Sequence, residues 1–213
     1  MDAATKPAEK TARSGKRAIP AYLVREVIDG IPFYYRGYRQ AMNKTKTLEE
    51  LRGDGGLQFF LKLFLYDLLK ARLNQIKFRC GSGELGFHPN YKNNMGLDVV
   101  VFDRKVLTPD KITAKFVEVP PRLVVEVDVN VELPDRDSDL FQEYVVRKIR
   151  RLFASGTEKV VWVFTKSQQV FSATADAPWQ VYDWDQDVEL MEGVSVNLAN
   201  YMREEGFELN IGD

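Results

Sequence analysis

The chain has 213 residues, 45% of them hydrophobic, and a formal net charge of −1. That is enough apolar material for a sizeable core, and the near-neutral balance excludes the global basic field of a protein that holds nucleic acid by net charge alone. The single cysteine, Cys80, excludes an internal disulfide and suits a reducing compartment. The longest apolar run, residues 57–69, is interrupted by Lys62 and Asp67 and is too short to cross a membrane. No secretory signal precedes the fold, so a cytoplasmic protein is the default expectation.

Residues 1–19 carry Lys6, Lys10, Arg13, Lys16 and Arg17 and almost no large apolar side chain. Such a segment cannot offset its ordering entropy and is expected to be a disordered basic arm, either a solvated tail or an arm that touches nucleic acid. Residues 20–205 are expected to form one domain, with 206–213 as a tail. Residues 22–28 and 31–38 flank Asp29-Gly30, which supplies the positive φ angles of a tight β-hairpin. Residues 44–56 are polar and turn-rich. From 56 to 74 the pattern Leu57, Phe60, Leu61, Phe64, Leu68 predicts a helix. Leu63, Leu65 and Leu69 extend its apolar surface nearly all round, so a central, largely buried helix is expected.

Residues 76–80 read as a short strand. Gly81-Ser82-Gly83-Glu84-Leu85-Gly86 has the spacing of a dinucleotide-binding glycine pattern, but Phe87-His88-Pro89-Asn90 follows where that pattern requires a helix. A glycine-rich hairpin or loop is expected instead. His88, the only histidine, has no repeated metal-ligand spacing near it and reads as a surface or packing residue.

Two segments, 97–102 and 122–129, are rich in β-branched residues and read as strands. Alternation puts Glu126 and Asp128 on one face, and Asp98 sits in an equally apolar run. If the strands are neighbours, three acids converge at one end of a buried sheet. Such placement costs roughly several kcal/mol unless their charge is compensated, and magnesium, calcium or manganese is the usual compensation.

Residues 135–155 read as a helix, with Asp137 or Ser138 as N-cap and Gly156 as the stop. Phe141, Tyr144, Val145, Ile149 and Leu152 share a broad face at 100° per residue, and Lys148 projects within it while Arg147 and Arg150 point away. A lysine there must snorkel out or find an anionic partner, which the acidic strands could supply. Strands at 158–165, 169–174, 179–184 and 188–190 and a short helical turn at 194–202 complete the chain. The order suits an α/β domain with a central mixed sheet flanked by helices, an N-terminal hairpin and C-terminal β additions.

These residues resemble the Uma-type family of endonuclease-like proteins in the PD-(D/E)XK nuclease superfamily. Tyr22…Val27-Ile28-Asp29-Gly30 is similar to that family's opening Tyr-Glu-Leu-Ile-Asp-Gly. Leu97-Asp98-Val99-Val100-Val101 stands where the family has Pro-Asp-Leu-Val-Val, and residues 120–127 resemble its Pro-Pro-Asp-Leu-Val-Val-Glu-Val, with Arg122 replacing the aspartate. Lys148, Leu152, Gly156 and Glu158 follow its Lys-x-x-x-Tyr-x-x-x-Gly-x-x-Glu, with Glu158 one position early. The likeness runs from about residue 21 to 202. Asp128 stands where the superfamily usually has its lysine, and the resemblance implies that Lys148 takes over from the following helix.

The resemblance implies a restriction-endonuclease-like core and a DNA endonuclease that depends on Mg2+ or Mn2+. Asp98 and Glu126 would hold the ion, with Asp128 a further ligand or outer partner, and Lys148 would stabilise the developing charge. Arg147, Arg150 and Arg151 would contact phosphate, or else form a solvated helix face. Analogy with enzymes that cut both strands admits a homodimer. The competing expectations are a buried Lys148–Glu126 ion pair without catalysis and a non-catalytic binding module that keeps the nuclease fold.

Overall fold

The β-hairpin forms where Asp29-Gly30 allows it. In the computed structural model, which describes residues 18–134 and 139–207, β1 (Val24–Ile28) and β2 (Ile31–Tyr35) are joined by Asp29 and Gly30 at φ 56° and 79°. Both angles are positive, as the tight hairpin turn requires. The expected arm lies outside the described residues as far as residue 17. Ile19, placed in that arm from its composition, instead packs against the apolar cluster of Leu23, Tyr34, Tyr35, Tyr38 and Leu51. Two short helices follow the hairpin, α1 (Tyr38–Met42) and, inside the stretch read as turns, α2 (Leu48–Arg52). The second starts at a reciprocal capping box between Thr47 and Glu50, which satisfies two orphan backbone donors at once.

The long helix α3 (Gly56–Arg72) buries Leu61, Leu65 and Leu69 completely. Its expected all-round burial does not occur, for Phe59, Phe60 and Leu63 are 53%, 49% and 41% exposed. One sheet face can cover only one side of a helix, whatever the sequence offers on the other. Of the hairpin or loop expected for the glycine-rich run, the hairpin forms: the run lies inside its first arm, β3 (Phe78–Asn90). This strand pairs along its length with β4 (Asn93–Asp103). Gly83, at φ 113°, sits where the register slips between Ser82 and Leu85, the place a glycine is needed in a strand. Cross-strand pairing overrides the weak local propensity.

Then follow β5 (Leu123–Val127) and β6 (Val131–Glu132). The next helix begins at Leu140 among the described residues, so the expected caps at 137 and 138 fall outside them. Asp139 Oδ1 accepts from the N–H groups of Phe141 and Gln142. A π-helical stretch, Phe141–Val146, passes into α4 (Arg147–Ser155), and Gly156 at φ 106° ends it. Strands β7 (Lys159–Phe164), β8 (Gln169–Thr174), β9 (Gln180–Asp183), β10 (Val188–Met191) and β11 (Val194–Val196) lead to α5 (Leu198–Glu204). The first residues of the expected helical turn are thus strand, paired with β10.

The main sheet runs β6-β2-β1-β4-β5-β7-β8-β9, with β3 on β4, and only β5–β7 is parallel among these pairs. The connection through the π-stretch and α4 is the long crossover that a parallel pair requires. Alternation then sorts the core. Val99, Val101, Val125, Val127, Val161 and Val163 pack with α3 and α5 on one face. Val100, Phe102, Val124, Val160 and Trp162 pack with Tyr144, Val145, Ile149 and Leu152 on the other. The result is a three-layer α/β sandwich. Among the described residues no helix is long and apolar enough to cross a membrane.

Candidate active site

The sheet parts at β4. β3 occupies one edge of this strand along its length, so β1 and β5 must share the other: β1 meets it at Asn94, and β5 at Val99–Val101. Between those contacts the edge has no strand partner among the described residues. The Val127 N–H, which would continue the ladder, donates instead to Asp98 Oδ2 at 2.9 Å. Polar side chains fill the fork. Glu26 from β1, Asp98 from β4 and Glu126 from β5 are 1%, 4% and 5% exposed, and Lys148 from α4 is fully enclosed.

Lys148 ties two acids together. Its Nζ donates to Glu26 Oε1 at 2.9 Å and to the Gly96 carbonyl at 2.7 Å, and it stands 3.2 Å from Glu126 Oε1. The last contact is an ion pair without the direction of a hydrogen bond, and among the described residues Glu126 Oε1 has no hydrogen-bond partner. The ammonium also lies 5.6 Å and 5.7 Å from the ring centroids of Tyr144 and Trp162, where aromatic faces help to hold a desolvated cation. The π-stretch that sets Tyr144 against Lys148 is a distortion often found beside functional groups. From the opposite face, Lys62 of α3 meets Asp98 Oδ1 at 2.8 Å and both oxygens of Asp54 at 2.9 Å. Gln58 Nε2 on the same helix donates to the Val127 carbonyl at 2.7 Å.

Charge in the fork does not balance. Burial pushes the Glu126 carboxyl up from 4.5 to about 8, with Lys148 opposing and Asp98 and Glu26 adding to the rise. Burial alone would lower Lys148, but Glu126 and Glu26 outweigh it and hold it well above its usual range. Burial also lowers Lys62, and Asp98 and Asp54 reverse that. Glu26 Oε2 and Glu126 Oε1 are buried without hydrogen-bond partners among the described residues. Among the described residues no three His, Cys, Asp or Glu side chains stand together as a ready metal cage. Glu126, with its unpartnered Oε1, and Asp98 could supply the one or two carboxylates that magnesium or manganese commonly takes, with water and phosphate oxygen completing the shell.

The fold therefore brings Asp98, Glu126 and Lys148 together, and it does not bring Asp128. That residue ends β5 at φ 60°, which breaks the alternation that would have put it beside Glu126. Its carboxylate accepts from Thr165 N at 2.8 Å and Thr165 Oγ1 at 2.7 Å. Of the arginines, Arg147 bonds Glu143 and lies 3.9 Å from Asp29, Arg151 pairs with Asp29, and Arg150 is exposed. Glu26 and Lys62 escaped the sequence reading. Glu26 lies inside the hairpin motif and shares a strand face with Ile28, so an acid on an inward face was available as a signal. Lys62 interrupts the apolar run of α3 one residue after the buried Leu61, and was counted only as a break in hydrophobicity.

The sheet, the helices on both its faces and the acids at its parting define a restriction-endonuclease-like α/β fold. Among solved structures the chain is similar to that of a candidate nuclease belonging to DUF820 from Anabaena variabilis, with a TM-score of 0.61 and 14% identity. The match covers 84% of this chain and 89% of that one, and at such identity it is a likeness of fold. No family model and no curated protein matches the chain.

Proposed function

We propose that this protein is a divalent-metal-dependent DNA endonuclease of the PD-(D/E)XK kind, related to the Uma-type proteins, that hydrolyses phosphodiester bonds. The observation that carries this reading is the meeting, at the parting of a nuclease-like sheet, of Asp98 paired with Lys62 and Glu126 paired with the enclosed Lys148. Asp98 and Glu126 would hold Mg2+ or Mn2+, which would supply Lewis acidity toward the phosphate. Lys62 and the Val127 N–H fix both oxygens of Asp98 in place. Lys148 holds Glu26 and Glu126 at one spacing, and its positive charge favours the ionised form of Glu126. Asp128 serves this site through the turn it makes with Thr165, which ends β5 directly after Glu126 and Val127. On the outer face of α4, Arg150 is the arginine of the three that has no acidic partner among the described residues.

The enclosure of the acids favours a second reading, a module that keeps the nuclease fold without cutting. Nicking of supercoiled plasmid with manganese decides between them. Wild type should nick and Glu126→Gln should not; nicking that persists in Glu126→Gln comes from elsewhere and refutes the assignment.

A further inference from the structure

Lys62 and Lys148 face different surroundings. Lys148 is closed off on every side. Lys62 lines an open cleft of about 530 Å³ together with Asp54, Phe59, Leu63, Tyr66 and the chain at Gly81-Ser82-Gly83. Its ammonium is a bridge: Asp98 binds it from within the fork, and Asp54 grips it from the cleft with both carboxylate oxygens. Asp54 stands in the exposed link between α2 and α3, between Gly53 and Gly55. A Cβ added at Gly55 or Gly56 would meet nothing within 4 Å, so the space beside this end of the link is open. Two carboxylate oxygens on one ammonium present the same charge and bite as the two non-bridging oxygens of a phosphodiester. The Asp54 side chain is 28% exposed, so water can solvate it as it leaves, while the buried Lys62 stays paired with Asp98.

We propose that Asp54 is an internal stand-in for the substrate, and that a phosphodiester entering along α3 displaces it from Lys62. Lys62 is then the ammonium that touches substrate, next to Asp98, and Lys148 is a positioning residue behind the acids. The cleft walls suit a nucleic-acid strand, for the exposed Phe59 ring beside Lys62 offers a surface on which a base can stack. This inference rests on the nuclease reading and names the seat of its substrate.

The two partners must respond in opposite directions. The probe is a short fluorescein-labelled DNA duplex titrated by anisotropy in EDTA, over a range of salt, so that binding is read without cleavage. Asp54→Asn should bind severalfold tighter than wild type. Lys62→Met should bind more weakly and lose about 0.9 from the slope of log affinity against log salt, the share of one phosphate contact. Leu63→Glu, an exposed change at the cleft that spares the core, should also weaken binding and serves if Lys62→Met does not fold. Absence of binding by wild type and Asp54→Asn alike, equal or weaker binding by Asp54→Asn, or an unchanged affinity in Leu63→Glu overturns the proposal. The nuclease reading fails separately: this binding pattern without manganese-dependent nicking by wild type or Asp54→Asn would leave the anion seat standing and remove the cutting.

Discussion

Glu126→Gln tests the electrostatics of the fork without any assumption about activity. The folded chain holds the Glu126 proton up to about pH 8, against 4.5 for the free group. An acid with a raised pKa keeps its proton in the folded state after the unfolded chain has lost it, so stability falls as pH rises between those two values. The slope is at most about 1.4 kcal/mol per pH unit. Between about pH 5.5 and about pH 7.5 it takes roughly 2 kcal/mol from the wild type. Glutamine keeps the shape and cannot ionise, so the variant should lack this component and should be the more stable protein at the alkaline end. Urea unfolding followed by tryptophan fluorescence measures it directly, because Trp162 lies against Lys148. Manganese should stabilise the wild type by mass action and leave Glu126→Gln nearly unmoved. Parallel stability profiles for the two proteins across this range would refute the assignment of a buried, proton-holding Glu126.

Replacing Lys148 with methionine removes the shared partner of Glu26 and Glu126 and should destabilise the fold by about 3–5 kcal/mol, the cost of leaving buried charge unpaired; a loss below about 1 kcal/mol would show that the fold does not depend on this pairing. Calorimetric titration should show manganese affinity falling in Asp98→Ala and unchanged in Asp128→Ala, since the Asp128 carboxylate is engaged by Thr165. Asp128→Ala should instead cost about 1–3 kcal/mol of stability for the lost buried-turn hydrogen bonds, and an equal loss of metal affinity in both variants would return Asp128 to the site. Thr47→Ala should cost about 1 kcal/mol in a denaturant melt through loss of the α2 cap.

Local rules were strong enough to fix the elements whose signals are local. Asp29-Gly30 dictated the hairpin because few residues tolerate its positive φ angles, and Gly156 ended α4 for the same reason. The pattern Leu57, Phe60, Leu61, Phe64, Leu68 marked α3 as a helix, though the side it buries runs through Leu61, Leu65 and Leu69, and the β-branched runs at Val99–Val101 and Leu123–Val127 made strands with Asp98 and Glu126 in buried positions. Helical phase put Lys148 inward even though a π-stretch precedes it, because the apolar side chains around it at Val145, Ile149 and Leu152 are anchored in the same core.

Other features depended on partners distant in sequence. The glycine run became strand because β4 pairs with it, and Phe59 and Phe60 stayed outside because the sheet covers one side of α3. The fork in the sheet brings Glu26 to Lys148 across 122 positions, and no local periodicity encodes a pairing of that kind. Asp128 shows the limit most plainly. Strand alternation alone would set it beside Glu126, yet a single positive φ angle turns its carboxylate to Thr165. Sequence patterning thus determined that Asp98, Glu126 and Lys148 are inward and charged. Only the tertiary structure decided which of those charges meet, because pairing in a low-dielectric interior follows from strand order and chain reversal rather than from spacing along the chain.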